Sequence, residues 1–171
     1  DCGCGTGWFY HSIKNFSPNV DYWGFDKTRK FIEIGKKYLP KFGLDPSHLI
    51  EGDISYVEGN FDHVLCMNVL SNIENWHKPL DNLVKIANKS ILLRESLSNF
   101  NDYKYIEDKY LDNGKLLKVH VNTYKKNDLK EFLLEHGFKV HYINDIRTNG
   151  SPEMVIDYPH YWNFILAIKE N

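Results

Sequence analysis

Short apolar runs alternate along the chain with longer segments in which apolar residues recur every three or four positions. The first pattern predicts buried strands and the second predicts amphipathic helices, so the alternation indicates β-α-β units built around a largely parallel sheet. The expected fold class is therefore α/β. Strands are predicted at 20–25, 48–51, 61–67, 90–93, 138–143 and 162–168, and helices at 27–40, 79–87 and 127–137.

The predicted helices differ in how clearly the sequence marks them. The first places Phe31, Ile34 and Tyr38 on one face and is expected to stop near Pro40. The second has Pro79 in its first turn, a position that tolerates proline because the missing N–H has no helical partner there. Its apolar residues follow at i, i+3, i+4 and i+7: Leu80, Leu83, Val84 and Ala87.

The region from Leu97 to Tyr124 loses this apolar pattern and becomes rich in Asn, Asp, Tyr and Lys, with Asn113-Gly114 as a turn signal. A stretch of this length is too long for a plain connector. We therefore predict that residues 97–124 form an insertion that covers the substrate side of the site. A second irregular segment, around Asn149-Gly150, joins the last two predicted strands.

Size and charge narrow the classes of protein. The 171 residues, with a mass of 20.1 kDa, fit a single domain spanning 1–171. The net charge of −2 and the pI near 6.5 make nucleic acid an unfavoured partner, because proteins that bind it usually carry a basic excess. No apolar run approaches the roughly 20 residues that span a bilayer, and the N-terminal residues do not form a signal-peptide pattern. No membrane partner is expected.

The three cysteines indicate small, reduced, buried residues. Cys2 and Cys4 are too close to each other to suggest a disulfide framework. Cys-x-Cys without a second pair of ligands is also a poor zinc signal. We therefore expect no metal site and a cytoplasmic protein.

The first seven residues carry the strongest chemical signal. They place three glycines at alternate positions behind a carboxylate, in the order Asp-x-Gly-x-Gly-x-Gly. Such a backbone has little side-chain bulk and free access to positive φ. It can approach a charged small molecule closely and present N–H groups to it.

Two further carboxylates follow the ends of predicted strands, where open α/β sheets bind their ligands. Asp26 lies about 25 residues after the glycine loop and is placed to accept hydrogen bonds from both hydroxyls of a ribose. The alternative is that it caps the helix that follows. Asp53 could accept from an adenine amino group while the Ile54 N–H donates to a ring nitrogen, or it could be a solvated turn residue.

A resemblance to a known family becomes clear at residues 61–73, which read Phe-Asp-His-Val-Leu-Cys-Met-Asn-Val-Leu-Ser-Asn-Ile. With the glycine loop they resemble the Rossmann-like class I S-adenosylmethionine-dependent methyltransferases that act on small molecules. Tyr124, the Glu135-His136-Gly137-Phe138 turn and the closing 164–169 strand also match, so the resemblance covers essentially the whole chain. It implies a three-layer αβα sandwich whose mostly parallel, seven-stranded sheet has an antiparallel last strand.

The resemblance also implies a cofactor, S-adenosylmethionine, and the residues that bind it. The glycine loop would pass beneath the methionine part and the ribose, with its leading acid orienting the loop or reaching the amino group. Asp26 would hold the ribose, and Lys27 would lie beside the adenine edge. Asp53 and Ile54 would bind the adenine. Asn68 and Val69 would flank the methionine end. These residues are Asp1, Gly3, Cys4 and Gly5, then Asp26 and Lys27, then Asp53 and Ile54, then Asn68 and Val69.

The sequence assigns no catalytic base. His120 and Tyr124 border the irregular region and His160 lies near two tyrosines, but a surface or packing role is the better interpretation of each. In the family a buried strand precedes the glycine loop, and it is missing here. We therefore expect an N-terminally truncated domain whose absent strand belongs between the strands that end at Asp26 and Asn68.

The function predicted is transfer of a methyl group to O, N or C of a small polar acceptor. Three alternatives stay open: a non-catalytic methyltransferase-like scaffold subunit, an RNA or protein methyltransferase, and a nicotinamide-dependent oxidoreductase. The intact polar residues of the loop and of Asp26 disfavour the scaffold. The glycine spacing disfavours the oxidoreductase. The Asp/Asn-Pro-Pro-Tyr motif of amino-methylating nucleobase and glutamine enzymes is replaced by Asn68-Val69-Leu70-Ser71, which disfavours a nucleic-acid substrate.

Overall fold

The structure, a computed structural model, describes residues 1–17, 19–108, 110 and 117–170. Within these ranges no helix is both long enough and apolar enough to cross a membrane. The helices are α1 (Phe9–Phe16), α2 (Arg29–Tyr38), α3 (His77–Ile86) and α4 (Lys126–Glu135). The strands are β1 (Gly24–Asp26), β2 (Leu49–Glu51), β3 (Phe61–Met67), β4 (Ala87–Ser98), β5 (Tyr105–Glu107), β6 (Lys118–His120), β7 (Tyr124–Lys125), β8 (Phe138–Asn144), β9 (Glu153–Val155), β10 (Tyr158–His160) and β11 (Trp162–Lys169).

The main sheet is mixed, which confirms the α/β fold class. β1 pairs with β2 and β3 pairs with β4 in parallel, whereas β11 runs antiparallel to both β4 and β8. Cys2 bridges the two halves, because it pairs in parallel with Phe25 on one side and Cys66 on the other. Its N–H donates to the Leu65 carbonyl at 2.7 Å, and the Phe25 N–H donates to the Asp1 carbonyl at 2.9 Å. Cys2 thus lies between β1 and β3, where a central strand is expected from the resemblance.

The core lies between the central strands and the helices that cover them. Ile91 and Leu93 of β4 and Ile165 of β11 are fully buried, as expected for strands with a layer on each face. Leu80 and Leu83 of α3 are also fully buried, so the predicted apolar face of that helix is confirmed. Each such side chain contributes about 1.5–3 kcal/mol by leaving water. All three cysteines are buried and free.

Two of the predicted elements differ from the structure. In α2, Phe31, Ile34 and Tyr38 do share a face, but that face is exposed; Ile32 and Gly35 are the buried residues. Gly35 has no room for a side chain, since a Cβ there would lie 2.6 Å from the Thr6 carbonyl oxygen. Close packing of the helix on the glycine loop therefore decides which face turns inward, and the aromatic face is left outside.

The strand predicted at 90–93 is longer than expected. β4 begins at Ala87, which the sequence placed in the preceding helix, and continues through Arg94, Glu95 and Ser96. Pairing on both sides makes this length possible, because β3 and β11 satisfy its backbone groups even where the side chains are polar. β4 thus carries the polar side chains of Arg94, Glu95 and Ser96 beyond its apolar run, to and past the end of β3.

The described residues of the region 97–124 form more regular structure than its composition indicates. β5 and β6 pair as an antiparallel ribbon, and Asp102 bridges Thr123 below it. The Asn122 N–H donates to the Ser71 carbonyl at 2.9 Å, which attaches the ribbon to the turn after β3. The predicted Asn113-Gly114 turn lies outside the described residues. Likewise, the irregular segment before β11 contains the β9–β10 hairpin.

Candidate functional site

A cleft of about 820 Å³ opens at the carboxyl ends of β1, β2 and β3. This volume lies within the range of small-molecule and cofactor sites, and the place is where open α/β sheets bind ligands. Eight of the ten residues predicted from the sequence line it: Gly3, Gly5, Asp26, Lys27, Asp53, Ile54, Asn68 and Val69. The structure thus brings together residues from four separate segments of the chain.

The glycine loop forms the floor of this cleft. Gly3 and Gly5 both have positive φ, at 78° and 56°, which favours glycine. A Cβ on Gly3 would lie 2.2 Å from Val69 Cγ2, whereas a Cβ on Gly5 would meet nothing within 4 Å. Gly3 is therefore required for close packing against the turn after β3, and Gly5 keeps an open backbone surface toward the cleft.

Asp26 links the glycine loop to the start of α2. Its Oδ2 accepts from the Gly5 N–H at 2.7 Å, and its Oδ1 accepts from the Thr28 N–H at 2.8 Å. The second bond lies just before α2, whose N-cap is Thr28 and has no side-chain capping bond, so the alternative that Asp26 caps this helix is wrong. An ionised carboxylate offers about four acceptor sites, so two remain for a ligand.

Asp53 lies at the end of the cleft formed by β2. Its Oδ1 accepts from the Ser55 N–H at 2.9 Å, and its Oδ2 lies 3.1 Å from Lys27 Nζ in a largely exposed ion pair. Partial burial raises the pKa of Asp53, but these hydrogen bonds outweigh it and the net pKa is lowered. Among the described residues, the buried Ile54 N–H has no hydrogen-bond partner, so it is available to an acceptor atom of a ligand.

Asn68 turns the chain sharply after β3. It has a left-handed conformation with φ of 58°, which asparagine tolerates better than most residues. Its N–H donates to the Arg94 carbonyl at 2.7 Å, and its Oδ1 accepts from Arg94 Nη1 at 2.5 Å. β4 therefore fixes both the backbone and the side chain of Asn68 at the mouth of the cleft.

Glu95 organises the turn that follows. The residue is fully buried, and its two oxygens accept from the N–H groups of Val69, Leu70 and Ser71 and from the Ser71 hydroxyl, at 2.7–3.1 Å. Burial raises the pKa of Glu95 to about 7, while these four hydrogen bonds oppose the shift. One buried carboxylate thus holds the segment that carries Val69 into the cleft.

Arg94 is itself held by a buried network. Its Nε donates to Asp145 Oδ2 at 2.9 Å, and the ion pair that they form is almost entirely shielded from solvent. The guanidinium lies 4.6 Å from the Trp162 ring centroid. Hydrogen bonds outweigh burial and lower the pKa of Asp145, so the pair stays ionised. The arrangement leaves the remaining Arg94 nitrogen to orient Asn68.

Two predicted site residues do not line the cleft. The Asp1 carboxylate accepts from the Tyr22 hydroxyl at 2.7 Å, away from the glycines. Cys4 is buried in a small cluster with Tyr10 and Tyr22 on the α1 side of the loop. Burial raises the pKa of the Cys4 thiol to about 12, so that residue is a neutral packing group.

Of the three candidate bases weighed from the sequence, only His120 reaches the cleft. Tyr124 is fully buried and donates to the Leu70 carbonyl at 2.6 Å, which makes it a structural residue. His160 is also buried, and burial lowers its pKa. Its Nε2 has no partner among the residues that the structure describes, but it lines neither the cleft nor the smaller cavity beside it.

Sequence reasoning missed Glu95, Arg94 and much of the cleft wall. A signal existed for the first two, because two charged residues directly follow an apolar run in the middle of a βα fold. The others have no distinguishing signal, since single residues of these types are common in loops and at the ends of helices and strands. The missed lining residues are Thr28, Phe31, Ser55, Met67, Asn72, Ile73, Glu74, Asn75, Lys78 and Pro79, whereas His120 was weighed as a candidate base.

This fold, with a glycine loop and acidic residues at the carboxyl ends of its strands, defines a Rossmann-like nucleotide-cofactor domain. The model of the methyltransferase domain family matches residues 1–90. The chain therefore belongs to the methyltransferase domain family, and the family predicted from the sequence is confirmed.

Solved structures of S-adenosylmethionine-dependent methyltransferases share the fold at low sequence identity. The O-methyltransferase of a trans-AT PKS multienzyme of Brevibacillus brevis, crystallised with S-adenosyl-L-homocysteine, has a TM-score of 0.70 at 20% identity, covering 99% of this chain and 65% of its own. A Clostridium acetobutylicum methyltransferase has 0.69 at 16%, covering 100% and 83%. The magnesium protoporphyrin IX methyltransferase of Synechocystis, with bound SAM, has 0.65 at 17%, covering 99% and 68%.

Among curated proteins, an uncharacterized protein of Methanocaldococcus jannaschii is 26% identical over 159 residues. The match covers 85% of this chain and 56% of that protein. The chain thus spans little more than half the length of this relative.

Proposed function

We propose that this chain binds S-adenosylmethionine in the cleft and transfers its methyl group to O, N or C of a small polar acceptor. The observation that carries the proposal is the convergence of eight predicted cofactor residues on one cleft. The names of two structural neighbours support the choice of donor and acceptor. One is a methyltransferase of magnesium protoporphyrin IX with bound SAM, and the other is an O-methyltransferase with bound S-adenosyl-L-homocysteine.

The residues of the cleft fit the adenosine part of this cofactor. Asp26 retains acceptor sites for the two ribose hydroxyls, and Gly5 leaves the loop surface open beneath them. The unpaired Ile54 N–H can donate to an adenine ring nitrogen, and Asp53 can accept from the adenine amino group. Lys27, which now pairs with Asp53, lies beside that edge.

The methionine part would extend toward Asn68 and Val69. S-adenosylmethionine supplies a methyl group on a positively charged sulfur, and the carbon–sulfur bond breaks, with its electron pair kept by sulfur, as the acceptor forms its bond to the carbon. The task of the protein is then mainly to hold donor and acceptor in line, which can supply much of the rate enhancement. The network of Arg94 and Glu95 supports this task, because it fixes the turn at the reacting end.

We further propose that residues 97–124 cover the acceptor side, as predicted from the sequence. The β5–β6 ribbon contributes His120 to the wall of the cleft. Its attachment to the turn after β3, through Asn122 and Ser71, supports this proposal, because the proposed methionine end lies at the same turn.

Calorimetric titration with S-adenosylhomocysteine tests the proposal on the wild type, on Asp26→Asn and on Asp45→Asn. Asp45 also accepts from a backbone N–H two residues on, but it lies outside the cleft, so it controls for loss of such a bond. Asp26→Asn is expected to lose about 1–3 kcal/mol of binding, the cost of unpaired polar contacts, which is roughly a fivefold to 150-fold rise in Kd. Asp45→Asn should bind as the wild type does.

The other outcomes separate the alternatives. A folded wild type that binds no S-adenosylhomocysteine contradicts the proposal and favours a scaffold. Tight binding of NADH in its place would favour an oxidoreductase. Equal S-adenosylhomocysteine affinity of the wild type and both variants would show that Asp26 does not hold the ribose.

A further inference from the structure

A second cavity of about 240 Å³ lies beneath the β5–β6 ribbon. Glu74 and His120 line both this cavity and the cleft, so the two spaces meet at that pair. The remaining wall consists of Tyr103, Lys104, Tyr105 and Asn122. If the cleft holds the cofactor, this adjoining cavity is available to a methyl acceptor.

The wall of this cavity contains one carboxylate, that of Glu74, and one ammonium group, that of Lys104. Glu74 is exposed, and its carboxylate has no ion-pair or hydrogen-bond partner within the described part of the chain. The nearby cations are already engaged: Lys104 pairs with Asp102, and Lys78 donates to the Tyr56 hydroxyl while lying 3.9 Å from its ring centroid. An unpaired carboxylate beside a small cavity attracts a cation.

The other walls are mainly aromatic. Tyr105 stacks on His120 with ring centroids 4.5 Å apart, and Tyr103 lies 5.8 Å from Tyr124. Asn122 adds no free polar group, because its amide donates to the Ile73 carbonyl and its Oδ1 accepts from the Lys104 N–H. Aromatic faces favour cations and flat apolar groups, so the polar recognition falls to Glu74 and His120.

We propose that the second cavity is the acceptor site and takes a small protonated amine with an apolar or ring body, with Glu74 as its counter-ion. The proposal rests on the proposed function and names its acceptor class. A protonated amine has no lone pair, so its nitrogen must release one proton before it forms the bond to the methyl carbon. His120 lies at the junction, stacked on Tyr105, and no hydrogen bond engages its ring nitrogens within the described residues, so it can take that proton.

Binding of three probes of equal shape and different charge tests this proposal. Benzylamine, benzyl alcohol and benzoate are titrated by calorimetry into the protein saturated with S-adenosylhomocysteine. The variants are Glu74→Gln and, as a matched control, Glu58→Gln, which removes an exposed carboxylate that lines neither cavity. Each variant is first titrated with S-adenosylhomocysteine alone.

The expected result is that benzylamine binds at least tenfold more tightly than the other two probes. Glu74→Gln should remove this preference, while Glu58→Gln keeps the benzylamine affinity within threefold. Equal affinities for the three probes, or a preference that survives Glu74→Gln, would overturn the proposal. Weaker S-adenosylhomocysteine binding in Glu74→Gln would overturn it too, by assigning Glu74 to the cofactor. Failure of the wild type to bind S-adenosylhomocysteine would instead reject the proposed function.

Discussion

Glu95 gives the stability of this protein a pH dependence that can be measured. Its carboxyl group is fully buried and has a pKa of about 7, against an ordinary value of 4.5 for glutamate. Between these two pH values the folded protein keeps a proton on Glu95 that the unfolded chain has released. The contribution of Glu95 to the free energy of unfolding is therefore fully present below pH 4.5 and is lost as the pH rises to about 7.

The magnitude follows from the size of the shift. Each pH unit of difference is worth about 1.4 kcal/mol, so the interval from 4.5 to 7 corresponds to roughly 3 kcal/mol. Glu95→Gln removes the titration, although it also replaces an accepting oxygen by an NH2 group that faces N–H donors. We expect the variant to be less stable than the wild type at pH 4.5, and the difference to narrow by about 3 kcal/mol by pH 7.

Urea unfolding of both proteins at intervals between pH 4.5 and pH 8 measures this difference, and other titrating groups cancel in the comparison. Cys66, which lies close to Glu95, does not interfere, because burial raises its thiol pKa far above this range. Glu58→Gln, which removes an exposed carboxylate, should show no comparable trend. A difference that stays constant, or that widens with pH, would refute the reasoning, since it would mean that the four hydrogen bonds outweigh burial.

Two further substitutions test the packing around the same turn. Gly3→Ala should cost about 1–3 kcal/mol more than Gly5→Ala in chemical unfolding, because both have positive φ but only the first places a Cβ against Val69; equal losses would contradict this contact. Tyr124→Phe should cost about 1 kcal/mol, because it removes a buried donor to the Leu70 carbonyl. Thermal unfolding checks this loss by comparison with Tyr105→Phe, which removes an exposed hydroxyl that has no partner in the described structure. Equal stability of the two variants would show that the Tyr124 hydroxyl does not stabilise the turn.

The periodic parts of the fold could be predicted because burial alone decides them. β3 and α3 were correctly placed, since each has an apolar pattern that only one element satisfies. The face of α2 could not be predicted from its aromatic residues, because a close approach at Gly35 sets the orientation of the helix. The length of β4 also escaped prediction, since it depends on two neighbouring strands that are distant in the sequence.

The same distinction holds for the site. Asp26 and Asp53 could be found because each was expected at a strand end, Asp26 also about 25 residues after the glycine loop, and both line the cleft. Glu95 could not be assigned a role, because its partners at 69–71 come together with it only through the pairing of β3 with β4. His120 also depends on tertiary structure, since the ribbon that carries it has no apolar periodicity.

A crystal structure of the protein with S-adenosylhomocysteine would show directly whether the cleft binds the cofactor. We expect the ligand to occupy the cleft, with its ribose hydroxyls within hydrogen-bond distance of Asp26, its adenine beside Asp53 and Ile54, and its sulfur toward Asn68. A ligand bound elsewhere, or one whose ribose lies away from Asp26 while the glycine loop remains bare, would contradict it.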